Sequence, residues 1–102
     1  MSSAVIVLKT STDKASLEDL VWQTSQLTTF CLQHKVEPID CVVTFRGSDD
    51  ILKQLKRVDR KKRFEYVIIY SPHQICKGRV EYNTFVSACR ELYKAEVKYL
   101  RA

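Results

Sequence analysis

The chain has few residues that break regular structure: its 102 residues include two glycines and two prolines. This scarcity argues against linkers, repeats and low-complexity tracts. No apolar run approaches the roughly 18 residues that a membrane-spanning helix needs. The opening MSSAVIVLKT also lacks the basic segment that begins a signal peptide. We therefore expect a single domain over residues 1–102, no membrane partner and a cytoplasmic location.

Metal-ligating residues are also sparse and are not paired. The chain has two histidines and four cysteines, and no two cysteines form a C-x-x-C pattern. Structural zinc sites need closely spaced ligand pairs, so we expect no metal and no cofactor. Each cysteine lies within or beside an apolar pattern, which predicts reduced thiols in the core. These cysteines are Cys31, Cys41, Cys76 and Cys89.

The net charge of +5 is concentrated in one segment. Residues 53–63, KQLKRVDRKKR, hold seven basic residues and one acid, which leaves a net charge of −1 on the rest of the chain. Such a segment predicts contact with the phosphate backbone of DNA or RNA. A solvated helix end, whose cations suit the helix dipole, is the alternative. The predicted nucleic-acid-binding residues are Lys53, Lys56, Arg57, Arg60, Lys61, Lys62 and Arg63.

Apolar spacing predicts strands that alternate with helices. The predicted strands cover residues 4–8, 36–45, 64–70 and 97–100. Ser16 opens a capping box for a first helix that runs to about Lys35, and Ser48 caps a second helix. This order predicts an α/β fold in three layers, with a mainly parallel four-stranded sheet and helices on both faces. The first helix is expected to bury Leu17, Leu20, Val21, Leu27 and Cys31, and the third Tyr82, Phe85, Val86, Cys89, Leu92 and Tyr93.

Polar residues follow each of the first three predicted strands. Because the carboxyl ends of parallel strands meet at one edge, we expect these segments to share a pocket. A serine beside cations there is a candidate nucleophile toward a phosphodiester. A phosphate cradle, which normally needs glycine, and a loop whose hydroxyls satisfy backbone groups are the open alternatives. The residues concerned are Lys9, Ser11, Thr12, Arg46, Ser71, His73, Gln74 and Lys77.

The segment LKTSTDKASLED resembles the signature that opens the catalytic domain of serine recombinases, the resolvases, invertases and large phage integrases. In that family a strand is followed by Arg-Val-Ser-Thr and then by Ser-Leu-Glu or Ser-Leu-Asp. Residues 49–77 resemble, more weakly, the helix, strand and Asp-Arg-Leu-x-Arg motif that come later. The resemblance implies a resolvase-like α/β domain in which Ser11 attacks DNA and forms a 5′-phosphoserine link.

The supporting residues depart from the family pattern. Lys9 replaces an arginine, and His73, Gln74 and Lys77 replace the aspartate and the two arginines of the later motif. Arg46 lies close to the position of a further arginine. Arginine offers phosphate a bidentate fork, whereas lysine is a point charge and glutamine is neutral. The resemblance therefore implies a catalytic set of Lys9, Ser11, Arg46, His73, Gln74 and Lys77 that has lost recombinase activity.

From the resemblance we also expect a domain without the long C-terminal helix and the DNA-binding domain that follow in the family. We therefore predict an interaction or regulatory module of a mobile element or phage, whose partner is DNA, another protein or a second copy of the chain. Two alternatives stay open. One is active DNA strand transfer through Ser11, and the other is the binding of a small phosphate or nucleotide.

Overall fold

The computed structural model describes residues 2–10 and 17–101, and strands and helices alternate along them as predicted, except that two helices precede the last strand. Within these ranges no helix is long and apolar enough to cross a membrane. The elements are β1 (Ser2–Lys9), α1 (Leu17–Gln33), β2 (Val36–Thr44), α2 (Ser48–Lys61), β3 (Tyr66–Ile69), α3 (Pro72–Ile75), α4 (Arg79–Tyr93) and β4 (Glu96–Tyr99).

The four strands form one parallel sheet in the order β2-β1-β3-β4. Central strand β1 is buried from Ala4 to Leu8, as expected of a strand that is covered on both faces. Its register against β2 shifts after Ala4, which lies opposite Pro38. Proline has no N–H to give to the ladder, so the irregularity falls where pairing is already weakened.

Helices cover both faces of the sheet, which confirms the predicted three-layer α/β fold. The chain moves one way across the sheet from β1 to β2 and the other way from β2 through β3 to β4. Right-handed crossovers therefore place α1 on one face and α2 with α4 on the other. Alternate residues of β1 divide between two cores: Ala4, Ile6 and Leu8 pack with α1, and Val5 and Val7 pack on the opposite side.

The two edges of the sheet are protected against further strands. On β2, the Gln54 amide donates to the carbonyl of Val43 at 3.0 Å, and the Lys62 ammonium donates to the carbonyl of Ile39 at 3.4 Å. The N–H of Cys41 donates to the Asp40 carboxylate at 2.7 Å. The opposite edge strand, β4, has four residues, of which Glu96 and Lys98 form an ion pair at 3.5 Å. Short, charged and side-chain-capped edges resist strand addition.

One prediction about local structure was wrong. Ser48 does not cap α2: it is the first residue of the helix, and its hydroxyl donates to Glu81 at 3.3 Å. The segment after β3 contains a short helix, α3, that the sequence pattern did not predict. Pro72 occupies the first turn of α3, and the Ser71 hydroxyl accepts from the N–H of His73 at 3.3 Å. The predicted cap at Ser16 lies outside the described residues.

Three side chains that were predicted in the core are exposed instead: Val21, Cys41 and Leu92. The buried face of α1 is centred on Leu27, and Val21 lies to one side of it. Leu92 precedes the buried Tyr93 and therefore lies about 100° around α4 from it. Cys41 is on edge strand β2, where neighbours cover it on one side only. The ends of the other predicted elements shift by one or two residues.

Phe85 is 1% exposed and belongs to the core between the sheet and helices α2 and α4. Its truncation should therefore destabilise the fold strongly. We expect Phe85→Ala to lower the free energy of unfolding by about 3–5 kcal/mol, because a buried ring is lost and a cavity remains. Urea denaturation followed by circular dichroism measures this change. The matched control is Val80→Ala on the same helix, where the side chain is 81% exposed and the change should stay within about 0.5 kcal/mol. Equal losses in the two variants would contradict this assignment of the core.

Candidate functional site

Five of the six predicted catalytic residues line one open pocket at the carboxyl edge of the sheet. They are Lys9, Arg46, His73, Gln74 and Lys77, and the pocket has a volume of about 620 Å³. Lys9 ends β1, Arg46 follows β2, and the other three lie in or just after α3. The sixth residue, Ser11, and its neighbour Thr12 lie outside the described residues. The catalytic role of this set stays a prediction.

A buried glutamine that sequence analysis missed holds this edge together. Gln23, which is 2% exposed, donates its amide N–H groups to the carbonyl of Lys9 at 2.8 Å and to the carboxylate of Asp19 at 2.9 Å. Its amide oxygen accepts from the N–H of Lys9 at 3.1 Å and from the Gln74 amide at 3.0 Å. One side chain thus joins β1, α1 and α3. One sequence feature could have identified Gln23: it lies four residues before Leu27, on the side of the helix whose other residues are apolar and buried.

Two of the predicted catalytic side chains are engaged in contacts within the protein. Gln74 is neutral and donates to Gln23, and its Oε1 atom is buried without a hydrogen-bond partner in the described part of the chain. The ammonium of Lys9 donates to the backbone carbonyl of Arg46 at 2.9 Å. These contacts tie β1 to the turn after β2 and α3 to α1. They direct polar groups toward the protein rather than toward a ligand.

The turn after β2 has its own hydrogen-bonded frame, centred on buried Thr44. The Thr44 hydroxyl donates to the carboxylate of Asp50 at 2.6 Å and accepts from the N–H of Arg46 at 3.1 Å. The Thr44 hydrogen bond lowers the pKa of the Asp50 carboxyl, and a hydrogen bond from Gln54 acts in the same direction. The carbonyl of Thr44 also accepts from the N–H of Thr10 at 2.9 Å. The turn that carries Arg46 is thereby fixed relative to β1.

Charges around the pocket nearly balance. Among the described residues that line it, four cationic side chains meet three carboxylates, which leaves one positive charge in excess apart from His73. Cys76 also lines the pocket, but burial and the neighbouring Glu81 raise the pKa of its thiol to about 11. A protonated thiol is a poor nucleophile. The cations are Lys9, Arg46, Lys53 and Lys77, and the carboxylates are those of Asp49, Asp50 and Glu81.

The outward side of α2 forms a second polar surface, which we call the basic face. It consists of four exposed residues: Lys53, Lys56, Arg57 and Arg60. Their spacing of three, one and three residues places them on one side of the helix, opposite the buried residues Ile51, Leu55 and Val58.

The other three predicted nucleic-acid-binding residues, Lys61, Lys62 and Arg63, are exposed at the C-terminal end of α2. The one ion pair between described residues joins Glu96 to Lys98, so none of the seven cations is paired with a described carboxylate. Lys53 belongs to the basic face and also lines the pocket, which makes the two surfaces continuous.

The hydrogen bonds of Gln23 predict that this residue is needed for the site and for stability. We expect Gln23→Leu to lower the free energy of unfolding by at least about 2 kcal/mol, because buried groups of Lys9 and Gln74 lose their partner. Hydrogen exchange of the α3 amides should also become faster. The matched control is Gln26→Leu on the exposed side of α1, for which we expect a change within about 0.5 kcal/mol. Unchanged exchange at α3 in Gln23→Leu would contradict the positioning role.

Comparison with known proteins identifies the fold through structure. No protein-family model and no curated protein matches the chain. Among solved structures, it is similar to the C-terminal catalytic domain of ISC1926 TnpA, an IS607-like serine recombinase, with a TM-score of 0.72 and 12% sequence identity. The match covers 98% of this chain and 69% of that one. The chain therefore has the fold of a serine recombinase catalytic domain.

Proposed function

We propose that this domain binds nucleic acid, with DNA as the expected partner, through the basic face of α2, and that it does not transfer DNA strands. The observation that carries the proposal is the set of four exposed cations on one side of a helix, none of them paired with a described carboxylate. Such cations can neutralise phosphates and release the counterions that surround nucleic acid. We also propose a cytoplasmic location, because DNA is the expected partner. The resemblance to recombinases supports the further proposal that the chain is encoded by a mobile element or phage.

The arrangement favours contacts to the nucleic-acid backbone over contacts to bases. Lysine and arginine on an exposed helix face reach phosphate oxygens, and phosphate contacts carry no sequence information by themselves. Binding should therefore vary little between DNA sequences and should fall steeply with salt. Four neutralised phosphates correspond to a slope of about −3.6 in a plot of log K against log salt concentration.

Three features of the pocket support the loss of strand transfer. Phosphoryl transfer needs concentrated positive charge at the transferring group, whereas the charges on the described residues of this pocket nearly balance. Gln74 is neutral and is bound to Gln23, and the ammonium of Lys9 is bound to the carbonyl of Arg46. An incoming phosphodiester would have to displace these internal contacts before it could receive a hydrogen bond from either side chain.

The basic face is tested by neutralising three of its residues together, in the variant Lys56→Gln, Arg57→Gln, Arg60→Gln. Fluorescence anisotropy with a labelled duplex should show affinity at least about tenfold weaker, and a salt slope smaller in magnitude by about 2.7, because three phosphate contacts are lost. The matched control is Arg90→Gln, Lys94→Gln, Arg101→Gln. It removes the same charge from exposed positions near β4.

We expect the control variant to bind like the unmodified chain. Equal weakening in the two variants would mean that net charge alone attracts DNA. Unchanged binding in the first variant would mean that the basic face is solvated surface. Either result overturns the proposed binding site.

Loss of strand transfer is tested separately at Ser11. We expect no denaturant-resistant adduct when the chain is incubated with nicked or supercoiled DNA and analysed by denaturing electrophoresis, because the cations among the described pocket residues are nearly balanced by carboxylates. An adduct that forms with the unmodified chain and disappears in Ser11→Ala would show surviving recombinase chemistry, while leaving the binding result intact. A thermal shift with inorganic phosphate or a nucleotide, absent with DNA, would instead favour the small-ligand alternative.

A further inference from the structure

The outer side of α1 differs from an ordinary solvated helix face because it carries almost no charge. From Leu20 to Gln33 the helix has no acidic or basic residue, although most of these positions are exposed or partly exposed. Val21 is 60% exposed and Leu32 is 68% exposed. Solvent-facing helix sides usually carry charge, whereas the centres of protein interfaces are depleted of it. This side of α1 therefore has the composition of a contact surface.

One line of residues along this side has a regular spacing, and we call it the α1 stripe. It comprises Glu18, Val21, Ser25, Thr28 and Leu32, and Lys35 lies two residues beyond the end of the helix at Gln33. The intervals alternate between three and four residues, as at the contact positions of paired helices. The four central residues of the stripe also have similar chemistry when the sequence is read in reverse. Around a midpoint between residues 26 and 27, Val21 corresponds to Leu32 and Ser25 corresponds to Thr28.

The ends of the α1 stripe are complementary in charge. Glu18, in the first turn, corresponds to Lys35 beyond the last turn, and both side chains are exposed. In an antiparallel pair related by a two-fold axis, each residue meets its counterpart, so two Glu18–Lys35 pairs and two Val21–Leu32 pairs form at once. Interfaces with two-fold symmetry require this kind of self-complementarity. We propose that a second copy of this chain packs antiparallel against the α1 stripe.

Four other surfaces are less suited to a second copy. The edge of β2 has three backbone groups occupied by side chains, and β4 is short and charged, so strand addition is disfavoured. The basic face of α2 would repel its own copy. Exposed Val80 and Leu92 on α4 lie among charged neighbours, which include Arg79, Glu81, Arg90 and Glu91.

The size of the α1 stripe sets the expected affinity. A helix of 17 residues is about 25 Å long, so a single helix pair falls at the small end of specific interfaces. Ser25 and Thr28 lie near the crossing point, and their small side chains permit close approach of the two helices. We expect a dissociation constant on the order of 10–100 µM. The pairing does not require nucleic acid.

Sedimentation velocity without DNA tests the proposal over concentrations from about 5 µM to about 1 mM, where weak pairs dissociate. We expect reversible dimers of the unmodified chain, and a dissociation constant at least about tenfold higher for Leu32→Gln. The matched control is Leu92→Gln, which removes a leucine that is 63% exposed on the opposite side of the sheet. It should leave dimerisation unchanged. Thermal denaturation verifies that each variant is folded.

A pair of charge substitutions tests the antiparallel register. Val21→Glu alone should weaken the dimer because a carboxylate then faces Leu32 of the second copy. Adding Leu32→Lys should restore much of the lost affinity, because the two introduced charges then face each other across the pair. A side-by-side parallel arrangement would bring like charges together in the double variant and would not be rescued.

Disulfide formation tests the same register covalently, in a Cys41→Ser background that removes the exposed native thiol. A tagged Ser25→Cys chain mixed with a Thr28→Cys chain should form a mixed disulfide. Ser87→Cys, exposed on α4, should not replace the Thr28→Cys chain. Any of four results overturns the proposal. The unmodified chain stays monomeric throughout the concentration range, or Leu32→Gln and Leu92→Gln weaken the dimer equally. The double charge variant does not recover dimer affinity, or Ser87→Cys cross-links as well as Thr28→Cys.

Discussion

The carboxyl edge of this domain depends on the buried amide of Gln23. A primary amide has two donors and an acceptor oxygen, and Gln23 uses them in four hydrogen bonds that reach Lys9, Asp19 and Gln74. These partners belong to the end of β1, the start of α1 and α3. Because a buried polar group without a partner is costly, the three elements are coupled: a shift in one would leave groups of the others unsatisfied.

The polar groups of the molecule divide according to what they contact. Around the pocket, amides, hydroxyls and carboxylates bind one another or the backbone, and the Thr44–Asp50 contact belongs to this set. On α2 the long cationic side chains extend outward from the core residues beneath them. The first arrangement stabilises loops and the second leaves charge available for an external polyanion. This division is the basis of our proposal that the domain binds nucleic acid and does not transfer DNA strands.

The layered fold could be predicted because the strands and helices of this chain differ clearly in the spacing of their apolar residues. The apolar run at residues 4–8 indicated a strand, and the helical spacing of apolar residues correctly placed Leu27, Phe85 and Cys89 in the core. Elements with weaker patterns could not be placed in this way. Helix α3 has four residues, which is too short for a period to appear. The exposure of Cys41 depends on the strand order, which no local pattern specifies.

The site could be predicted only in part for a related reason. The parallel arrangement of the strands alone predicts that Lys9, Arg46 and His73 lie at the carboxyl edge of the sheet. The bond between Gln23 and Gln74, by contrast, joins residues 51 positions apart and depends on the details of packing. A polar residue on an otherwise apolar helix face indicates that a partner exists, but it does not identify that partner. The direction in which a cation points is likewise decided by tertiary contacts, as the bond from Lys9 to Arg46 illustrates.

The sheet has a geometric consequence, because it separates the α1 stripe from the basic face. Helix α1 covers one side of the four strands and α2 covers the other. Two copies joined through α1 would therefore turn their cationic surfaces away from each other, toward opposite ends of the pair. Such an assembly would not clamp a single segment of DNA between its halves. It would act as a bridge that tethers two segments, and the weak grip of each half would be reinforced by the other wherever both segments lie within reach.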